Sequence, residues 1–171
     1  NAIGVDINPQ AVSLAKANLQ FSCEFNPKIK IKCGDALDLS LIRDNDMDFI
    51  CTHPPYANII NYSKGIAGDI SLLNVRDFLV KMQKASEESF RILKEGKICA
   101  VMIGDIRRNG KVFPLGFRVM ECFIKAGFVN KEIIIKEQHN CCSTAYWEKQ
   151  NKDFLLLSHE YIFVFQKKAT F

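Results

Sequence analysis

The sequence predicts an α/β fold built on an open, mostly parallel β-sheet. Short apolar segments that suit strands alternate along the chain with segments of helical period. The segment 97–105 is apolar almost throughout, which is typical of a parallel strand covered on both faces. The segment 28–33 alternates lysine with apolar residues, which indicates an edge strand with one solvated face.

Length and composition place the chain among globular proteins. Its 171 residues suffice for one domain with a sizeable core, and its 48% hydrophobic and 25% charged residues are ordinary values. No apolar run is long enough to span a bilayer, so we expect no membrane association. The net charge of +4 permits a polyanionic partner without demonstrating one.

The cysteines predict neither a metal site nor a disulfide framework. Five of the seven lie in or beside apolar segments, where a free thiol packs as a small hydrophobe, namely Cys23, Cys33, Cys51, Cys99 and Cys122. Cys141 and Cys142 are adjacent, and the chain has no CxxC motif, so we expect no metal. This usage fits a reducing cytoplasm.

The first predicted unit is a strand over residues 2–7, followed by a helix from Pro9 to about Leu19. Asn8 suits the N-cap of this helix and Pro9 its first position. Its apolar face comprises Ala11, Val12, Leu14, Ala15 and Leu19. Asp6 lies at the strand tip, where an acid commonly holds ribose hydroxyls. Asp6 and Ile7 are therefore candidates for binding a cofactor, and a simple turn cap is the alternative for Asp6.

The predicted central strand, residues 47–52, runs directly into His53-Pro54-Pro55-Tyr56. Proline fixes φ and has no N–H donor, so the strand must end there. This stiff exit leaves backbone carbonyls without local partners and holds the Tyr56 ring at the carboxyl edge of the strand. Ligands bind at that edge in open α/β sheets. A rigid acceptor beside a flat aromatic face suits a planar ring that carries an amino group.

The second half of the chain predicts two helices and a closing hairpin. The helix 74–93 should begin at the N-cap Asn74 and stop at Gly96, while the helix 114–126 should be capped by Gly127. Residues 129–136 should pair antiparallel with the last strand. That last strand is predicted over residues 161–165.

Two polar stretches and one basic cluster are candidates for contact with a target. Residues 57–69 have no clear period and suit a functional loop above the site. Residues 139–150 are either a target-contacting loop or a plain hairpin excursion. The tip of the strand 97–105 carries basic side chains, which suit phosphate contact or a solvated turn. The candidates for nucleic-acid contact are Asn58, Tyr62, Arg107, Arg108 and Lys111.

His53-Pro54-Pro55-Tyr56 resembles the Asp/Asn/Ser-Pro-Pro-Tyr/Phe/Trp motif of amino-methyltransferases that use S-adenosylmethionine. The first position departs from that motif, since His replaces Asp, Asn or Ser. The resemblance implies a Rossmann-like class I methyltransferase fold with an antiparallel C-terminal hairpin. It also implies methyl transfer to an exocyclic base amine in DNA, at N4 of cytosine or N6 of adenine. DNA is favoured over RNA as the nucleic-acid partner.

The resemblance assigns roles to particular residues. His53 and the Pro54 carbonyl would accept the two amino hydrogens, Pro55 would stiffen the loop, and Tyr56 would stack on a flipped base. An acid at the tip of the strand 28–33 accepts from the cofactor adenine in this family. That assigns Asp35, with Ala36 beside it and Thr52 at the neighbouring strand end, to cofactor binding. An Asx-turn or a helix cap is the alternative for Asp35.

The glycine-rich turn and first strand of this family have no counterpart upstream of Asp6. That strand usually lies between the ones that end at Asp6 and Thr52, and its loss would leave unpaired edges inside the sheet. We therefore expect residues 1–171 to be the C-terminal portion of a single catalytic domain. The missing segment would be supplied by a longer chain or a second subunit.

The sequence is also compatible with other functions. A tRNA guanine-N2 methyltransferase is the nearest alternative, and methylation of a protein glutamine is a third. A non-catalytic nucleic-acid-binding subunit with a decayed methyltransferase fold belongs to a different class. The absent glycine turn and His53 favour that last interpretation.

Overall fold

The computed structural model describes residues 1–21, 24–139 and 153–169. The described strands are β1 Ala2–Asp6, β2 Ile29–Cys33, β3 Met47–Thr52, β4 Leu93–Ile103, β5 Ile106–Arg108, β6 Lys111–Phe113, β7 Phe128–Glu137 and β8 His159–Lys167. The helices are α1 Pro9–Asn18, α2 Val75–Ile92 and α3 Leu115–Lys125, with short 3₁₀ turns at Ala57–Ile59 and Ile70–Leu72. Within these ranges no helix is long and apolar enough to cross a membrane.

The strands form three groups that contain both parallel and antiparallel pairs, and the predicted α/β fold class is confirmed with a mixed sheet. β1 and β2 pair in parallel, and β3 pairs in parallel with β4 in a sheet of order β3-β4-β8-β7. β8 is antiparallel to both of its neighbours, with Ile135 opposite Tyr161 on the β7 side. The predicted antiparallel C-terminal hairpin is thus confirmed. β5 and β6 form a separate small hairpin, which the sequence analysis did not predict.

Aromatic side chains dominate the core between the helices α2 and α3 and the four-stranded sheet. Phe78 of α2, Phe123 of α3 and Phe165 of β8 are almost completely buried. The rings of Phe123 and Phe165 stack with centroids 5.0 Å apart. Ser86 also joins the two helices, because its hydroxyl donates to the carbonyl of Cys122 at 3.1 Å. This core holds β3 and β4 side by side and so positions the end of β3.

Two local predictions about the helices are wrong. Gly96 does not end α2: the helix stops at Ile92, and Gly96 lies within β4 at φ +74°. Lys167 of β8 satisfies the end of the helix instead, since its ammonium donates to the carbonyls of Phe90 and Leu93 at 2.7 and 2.8 Å. Leu14 of α1 is 63% exposed rather than buried, because α1 covers only the two-stranded pair β1–β2.

Candidate active site

One cavity of about 530 Å³ opens at the carboxyl ends of β1, β2 and β3. Its size falls within the range of small-molecule sites. Every residue proposed for cofactor binding lines it, and so does the start of the proline motif. These lining residues are Asp6, Ile7, Asp35, Ala36, Thr52, His53, Pro54 and Pro55. Tertiary structure therefore brings together residues that are separated by nearly fifty positions in the chain.

The two aspartates of the cavity each use one oxygen within their own turn. Oδ1 of Asp6 accepts from the backbone N–H of Asn8 at 2.7 Å, and Oδ1 of Asp35 accepts from that of Leu37 at 2.9 Å. Asp6 and Asp35 therefore both cap their own turns, as the alternatives for these residues predicted. The second oxygen of each carboxylate has no hydrogen-bond partner within the described parts of the chain. Each aspartate can cap its turn and still accept from a ligand hydroxyl or amine.

The inner part of the cavity is an apolar cleft between β1 and β3. Within the described residues, β1 pairs only with β2, and β3 pairs only with β4. Ile3 of β1 and Phe49 of β3 line the cleft and are 38% and 58% exposed. Among the described residues, no strand therefore joins the pair β1–β2 to the four-stranded sheet, and the resemblance predicts a further strand between β1 and β3.

The proline motif leaves the sheet as a rigid corner. Pro54 is buried, whereas His53 is exposed at the cavity. The corner closes at Ala57, which is fully buried and has a φ of +48°, a left-handed conformation that is uncommon for alanine. Backbone in such a conformation persists only where its surroundings hold it. The motif is thus held in place by packing as well as by its two prolines.

Tyr56 is anchored by its hydroxyl group. The hydroxyl donates to Oε1 of Glu160 and accepts from the backbone N–H of Gly104 at 2.9 Å. Burial, and next the hydrogen bond with the Glu160 carboxylate, raise the pKa of Tyr56 well above its usual value. The ring packs against the hydrophobic core and meets the His53 ring edge-on at 5.7 Å. Its orientation is therefore fixed before any ligand arrives.

Glu160 is a site residue that the sequence analysis missed. It lies on β8, is 5% exposed, and binds the ammonium of Lys136 through Oε2 at 2.6 Å. Burial alone would raise the pKa of Glu160, but the hydrogen bonds from Lys136 and Tyr56 outweigh burial and lower it. The carboxylate is thus held in its charged form. A lone acid before an aromatic strand was the only sequence signal for it.

The candidates for nucleic-acid contact do not form one cluster of free cations. Arg107 donates to the carbonyls of Gly110 and Leu155 at 2.7 and 2.8 Å, and its guanidinium lies 3.9 Å from the centroid of the Phe154 ring. Arg108 donates to the side-chain oxygen of Asn58 and so ties the loop after the motif to β5.

Two other candidates in this group are more open. Lys111 begins β6 and is exposed, and Tyr62 is 56% exposed and lines the cavity. Residues 140–150, most of the segment that was either a target-contacting loop or a hairpin excursion, lie outside the described residues.

Solved structures with related folds include methyltransferases that act on DNA. A candidate DNA modification methylase from Thermus thermophilus, crystallised with S-adenosyl-L-methionine, is 25% identical with a TM-score of 0.58, over 81% of this chain and 53% of that one. The cytosine-N4-specific PvuII DNA methyltransferase is 18% identical with a TM-score of 0.63, over 79% of this chain and 48% of that one. The chain thus spans about half the length of these proteins.

Two sequence comparisons also relate the chain to methyltransferases. A release factor glutamine methyltransferase from Clostridium acetobutylicum is 27% identical over 110 residues, which are 61% of this chain and 38% of that protein. The sequence model of a family described as DNA methylase matches residues 47–171, which is 125 of the 171 residues. Because that match covers well over half of the chain, the protein belongs to the DNA methylase family.

Proposed function

We propose that the protein transfers a methyl group from S-adenosylmethionine to an exocyclic amino group of a base in DNA, N4 of cytosine or N6 of adenine. The observation that carries this proposal is the shared cavity. His53 and Pro54 of the motif line the same cavity as the carboxylates of Asp6 and Asp35. A methyl acceptor and a methyl donor must meet in one such place. Membership of the DNA methylase family supports the choice of a base amine.

The residues present fit S-adenosylmethionine as the methyl donor. When bound, it supplies an electrophilic methyl group on a sulfonium. Asp6 would accept from the ribose hydroxyls and Asp35 from the adenine amine, each through the oxygen that its own turn leaves unused. Ile7, Ala36 and Thr52 would line the rest of that pocket. Two carboxylates and an apolar wall are a suitable lining for a nucleoside.

The motif would position the acceptor amine. The Pro54 carbonyl and a neutral His53 are two acceptors for two amino hydrogens, and this pairing directs the nitrogen lone pair away from them. Pro55 keeps the carbonyl rigid, so little reorganisation is needed during the reaction. The transfer releases one amine proton, which His53 or water can accept. Tyr56 would stack on the base, with its ring already held through Glu160.

Nucleic-acid binding would use the rim of the cavity. Tyr62 offers an aromatic face and the exposed Lys111 an ammonium, and Asn58 with Arg108 joins the loop to the β5–β6 hairpin. The guanidinium of Arg107 already donates to two carbonyls, so contact with a phosphate would have to occur while those two hydrogen bonds are kept. The net charge of +4 is compatible with a polyanion.

The open cleft supports the proposal that a further strand completes the sheet between β1 and β3. Such a strand would pair the free edges of both strands and cover Ile3 and Phe49. The polypeptide 1–171 alone should then bind S-adenosylmethionine weakly, since the wall of the cofactor pocket is incomplete. Calorimetry on this polypeptide tests the idea, and micromolar affinity would contradict it.

We also propose that the protein is cytoplasmic. Among the described residues, Cys33, Cys51, Cys99 and Cys122 are free thiols. Free thiols in this number support a reducing compartment. Mass spectrometry of alkylated protein from cells checks this expectation, because oxidised cysteines would escape alkylation.

Protein glutamine is the second candidate substrate. The similarity to a release factor glutamine methyltransferase favours it. A glutamine side-chain amide also presents a planar –NH₂ group, so the His53 and Pro54 acceptors suit both substrates. The two substrates differ in their contact with Tyr56. A base has an extended aromatic face that can stack on the Tyr56 ring, whereas a glutamine side chain has none.

The deciding experiment offers labelled methyl donor and three polymers to the intact natural protein that contains this sequence. DNA, tRNA and a release-factor protein are incubated in parallel, and the DNA is digested to nucleosides. We expect label in N4-methylcytosine or N6-methyladenine. Label in glutamine or in tRNA guanine would replace the proposed substrate, while failure to bind the donor at all would support a decayed, non-catalytic subunit.

A further inference from the structure

The buried carboxylate of Glu160 has three polar side chains around it, which come from two other parts of the chain, the strand β7 and the proline motif. Oε2 accepts from the ammonium of Lys136 at 2.6 Å, and Oε1 accepts from the hydroxyl of Tyr56. Nε2 of His53 lies 3.5 Å from the same Oε1. Glu160 is 5% exposed, whereas the side chains of His53 and Lys136 are 42% and 44% exposed, so the carboxylate is buried while two of its partners remain in reach of water.

The position of the proton on the His53 ring follows from these neighbours. Nε2 of His53 lies 3.3 Å from the Tyr56 hydroxyl, whose hydrogen is already donated to Glu160. That hydroxyl oxygen can therefore only accept from the ring. Oε1 of Glu160, as part of a carboxylate, can also only accept. Because both neighbours of Nε2 are acceptors, Nε2 must carry the hydrogen in the neutral ring.

We propose that Glu160, oriented by Lys136, is a positioning residue that holds His53 as its Nε2–H tautomer, which leaves Nδ1 as the acceptor for the substrate amine. Glu160 acts through His53 and Tyr56 and touches no substrate. The inference rests on the role proposed for His53 above. It gives a physical account of how histidine can stand at a position where the motif has Asp, Asn or Ser.

Lys136 makes the effect of Glu160→Gln predictable. An ammonium is a donor only, so it should hold the oxygen of the new amide. The –NH₂ group would then point at Tyr56 and His53, where the wild-type protein has an acceptor. Donation from this group to Nε2 would drive the ring to its Nδ1–H tautomer and remove the acceptor from the substrate side.

The experiment records ¹⁵N–¹H spectra of histidine-labelled intact protein at about pH 8.5, well above the range in which free histidine titrates. His53 is assigned by its absence in His53→Asn. We expect a protonated Nε2 and a bare Nδ1 for His53 in the wild type, and the reverse in Glu160→Gln. An Nδ1–H tautomer in the wild type would overturn the inference without any activity measurement.

His159 supplies an internal control in the same spectra. Its Nε2 lies 3.2 Å from the hydroxyl of Tyr161, which donates to Oδ2 of Asp105 at 3.1 Å. The same reasoning predicts an Nε2–H tautomer for His159, and in the described structure its Nε2 contacts Tyr161 rather than the Glu160 carboxylate. His159 should therefore keep its tautomer in Glu160→Gln, and a change there would indicate general misfolding of β8.

The double variant Glu160→Gln/Lys136→Met separates tautomer control from a structural role. Without the ammonium, the amide is free to turn its oxygen toward His53 and Tyr56, so the Nε2–H tautomer should return. Single-turnover methyl transfer should fall about tenfold or more in Glu160→Gln and recover in the double variant, with cofactor affinity unchanged throughout. If the two substitutions only damaged the structure independently, the double variant would transfer methyl more slowly than Glu160→Gln. That result would overturn the proposal.

The two proposals fail in different ways. If the wild type transfers no methyl group to any polymer, the proposed function fails, while the spectra still decide the tautomer of His53. If Glu160→Gln inverts the tautomer but leaves the transfer rate intact, His53 does not hold the amine, and the positioning role of Glu160 is overturned.

Discussion

The hydroxyl of Tyr56 donates a hydrogen bond to the carboxylate of Glu160, 104 positions later in the chain. Tyr56 follows the end of β3, and Glu160 lies near the start of β8. The strand β4 separates β3 from β8 in the sheet. The contact therefore ties the corner of the proline motif across β4 to the C-terminal hairpin, and it determines how the Tyr56 ring is oriented.

Removing this hydroxyl should destabilise the fold. In Tyr56→Phe, the buried Glu160 loses a donor and the N–H of Gly104 loses its acceptor. We expect the free energy of unfolding to fall by about 1–3 kcal/mol, measured by urea denaturation. Tyr62→Phe is the matched control, since the ring of Tyr62 is 56% exposed and should show little change. Equal stability of Tyr56→Phe and wild type would contradict the anchoring role.

The ribose role of Asp6 can be tested without losing its turn cap. In Asp6→Asn, the amide oxygen can still accept from the N–H of Asn8, but the carboxylate is gone. We expect affinity for S-adenosylmethionine to fall roughly tenfold or more, because hydrogen bonds to a charged group are the stronger ones. Calorimetry on the intact natural protein measures this change.

Asp38→Asn is the matched control for that experiment. Oδ1 of Asp38 accepts from the N–H of Ser40 at 3.0 Å in a similar turn, but Asp38 lies outside the cavity. Its substitution should leave cofactor affinity unchanged. An unchanged affinity in Asp6→Asn would exclude Asp6 from ribose binding.

The β5–β6 hairpin should show two separable effects on nucleic-acid binding. Lys111→Ala should flatten the dependence of log affinity on log salt by about one unit, as expected for one lost phosphate contact. Arg107→Ala should instead lower the melting temperature of the protein, because Arg107 donates to the carbonyls of Gly110 and Leu155. Filter binding at several salt concentrations and thermal denaturation measure the two effects.

The hairpin prediction also has a control at the other end of the sheet. Lys97 lies toward the amino-terminal end of β4, away from the cavity. Lys97→Ala should leave the salt dependence unchanged. If Lys111→Ala and Lys97→Ala behaved alike, the hairpin would lie off the path of the nucleic acid.

Glu88 should make the free energy of unfolding depend on pH. It accepts from the N–H of Leu39 at 2.7 Å and pairs with Arg91 through both oxygens. The hydrogen bonds from Arg91, and next that from Leu39, lower the pKa of Glu88 below its ordinary 4.5. As the pH falls, Glu88 therefore becomes protonated in the unfolded chain before it does so in the folded protein. The stability that Glu88 contributes is therefore complete above pH 4.5 and lost as the pH falls through the pKa of the folded state.

Urea denaturation of Glu88→Gln at several pH values checks this. At neutral pH the variant should be less stable than wild type by about 1–3 kcal/mol, and the difference should shrink below pH 4.5. Glu87→Gln, on the exposed side of α2, is the control and should show no such difference. A constant difference at all pH values would mean that Glu88 acts through packing rather than charge.

Much of the fold followed from local patterns in the sequence. The central strand Met47–Thr52 was predicted with its observed bounds, because two prolines can only end a strand. The N-cap Asn74 was confirmed, since its side chain accepts from the N–H of Asp77 at 3.1 Å. These features depend on residues within one or two turns of each other, which a single sequence displays directly.

Local patterns were enough to predict the fold class, the proline motif and a set of cofactor-binding candidates that share one cavity, because parallel strands bring their carboxyl ends to one edge. The contacts that hold these residues in place were not predictable in this way. The end of α2 is bound by Lys167 rather than by Gly96, and Tyr56 is bound by Glu160. Both partners come from β8, far along the chain, and no local period encodes which side chain a distant strand will place beside another.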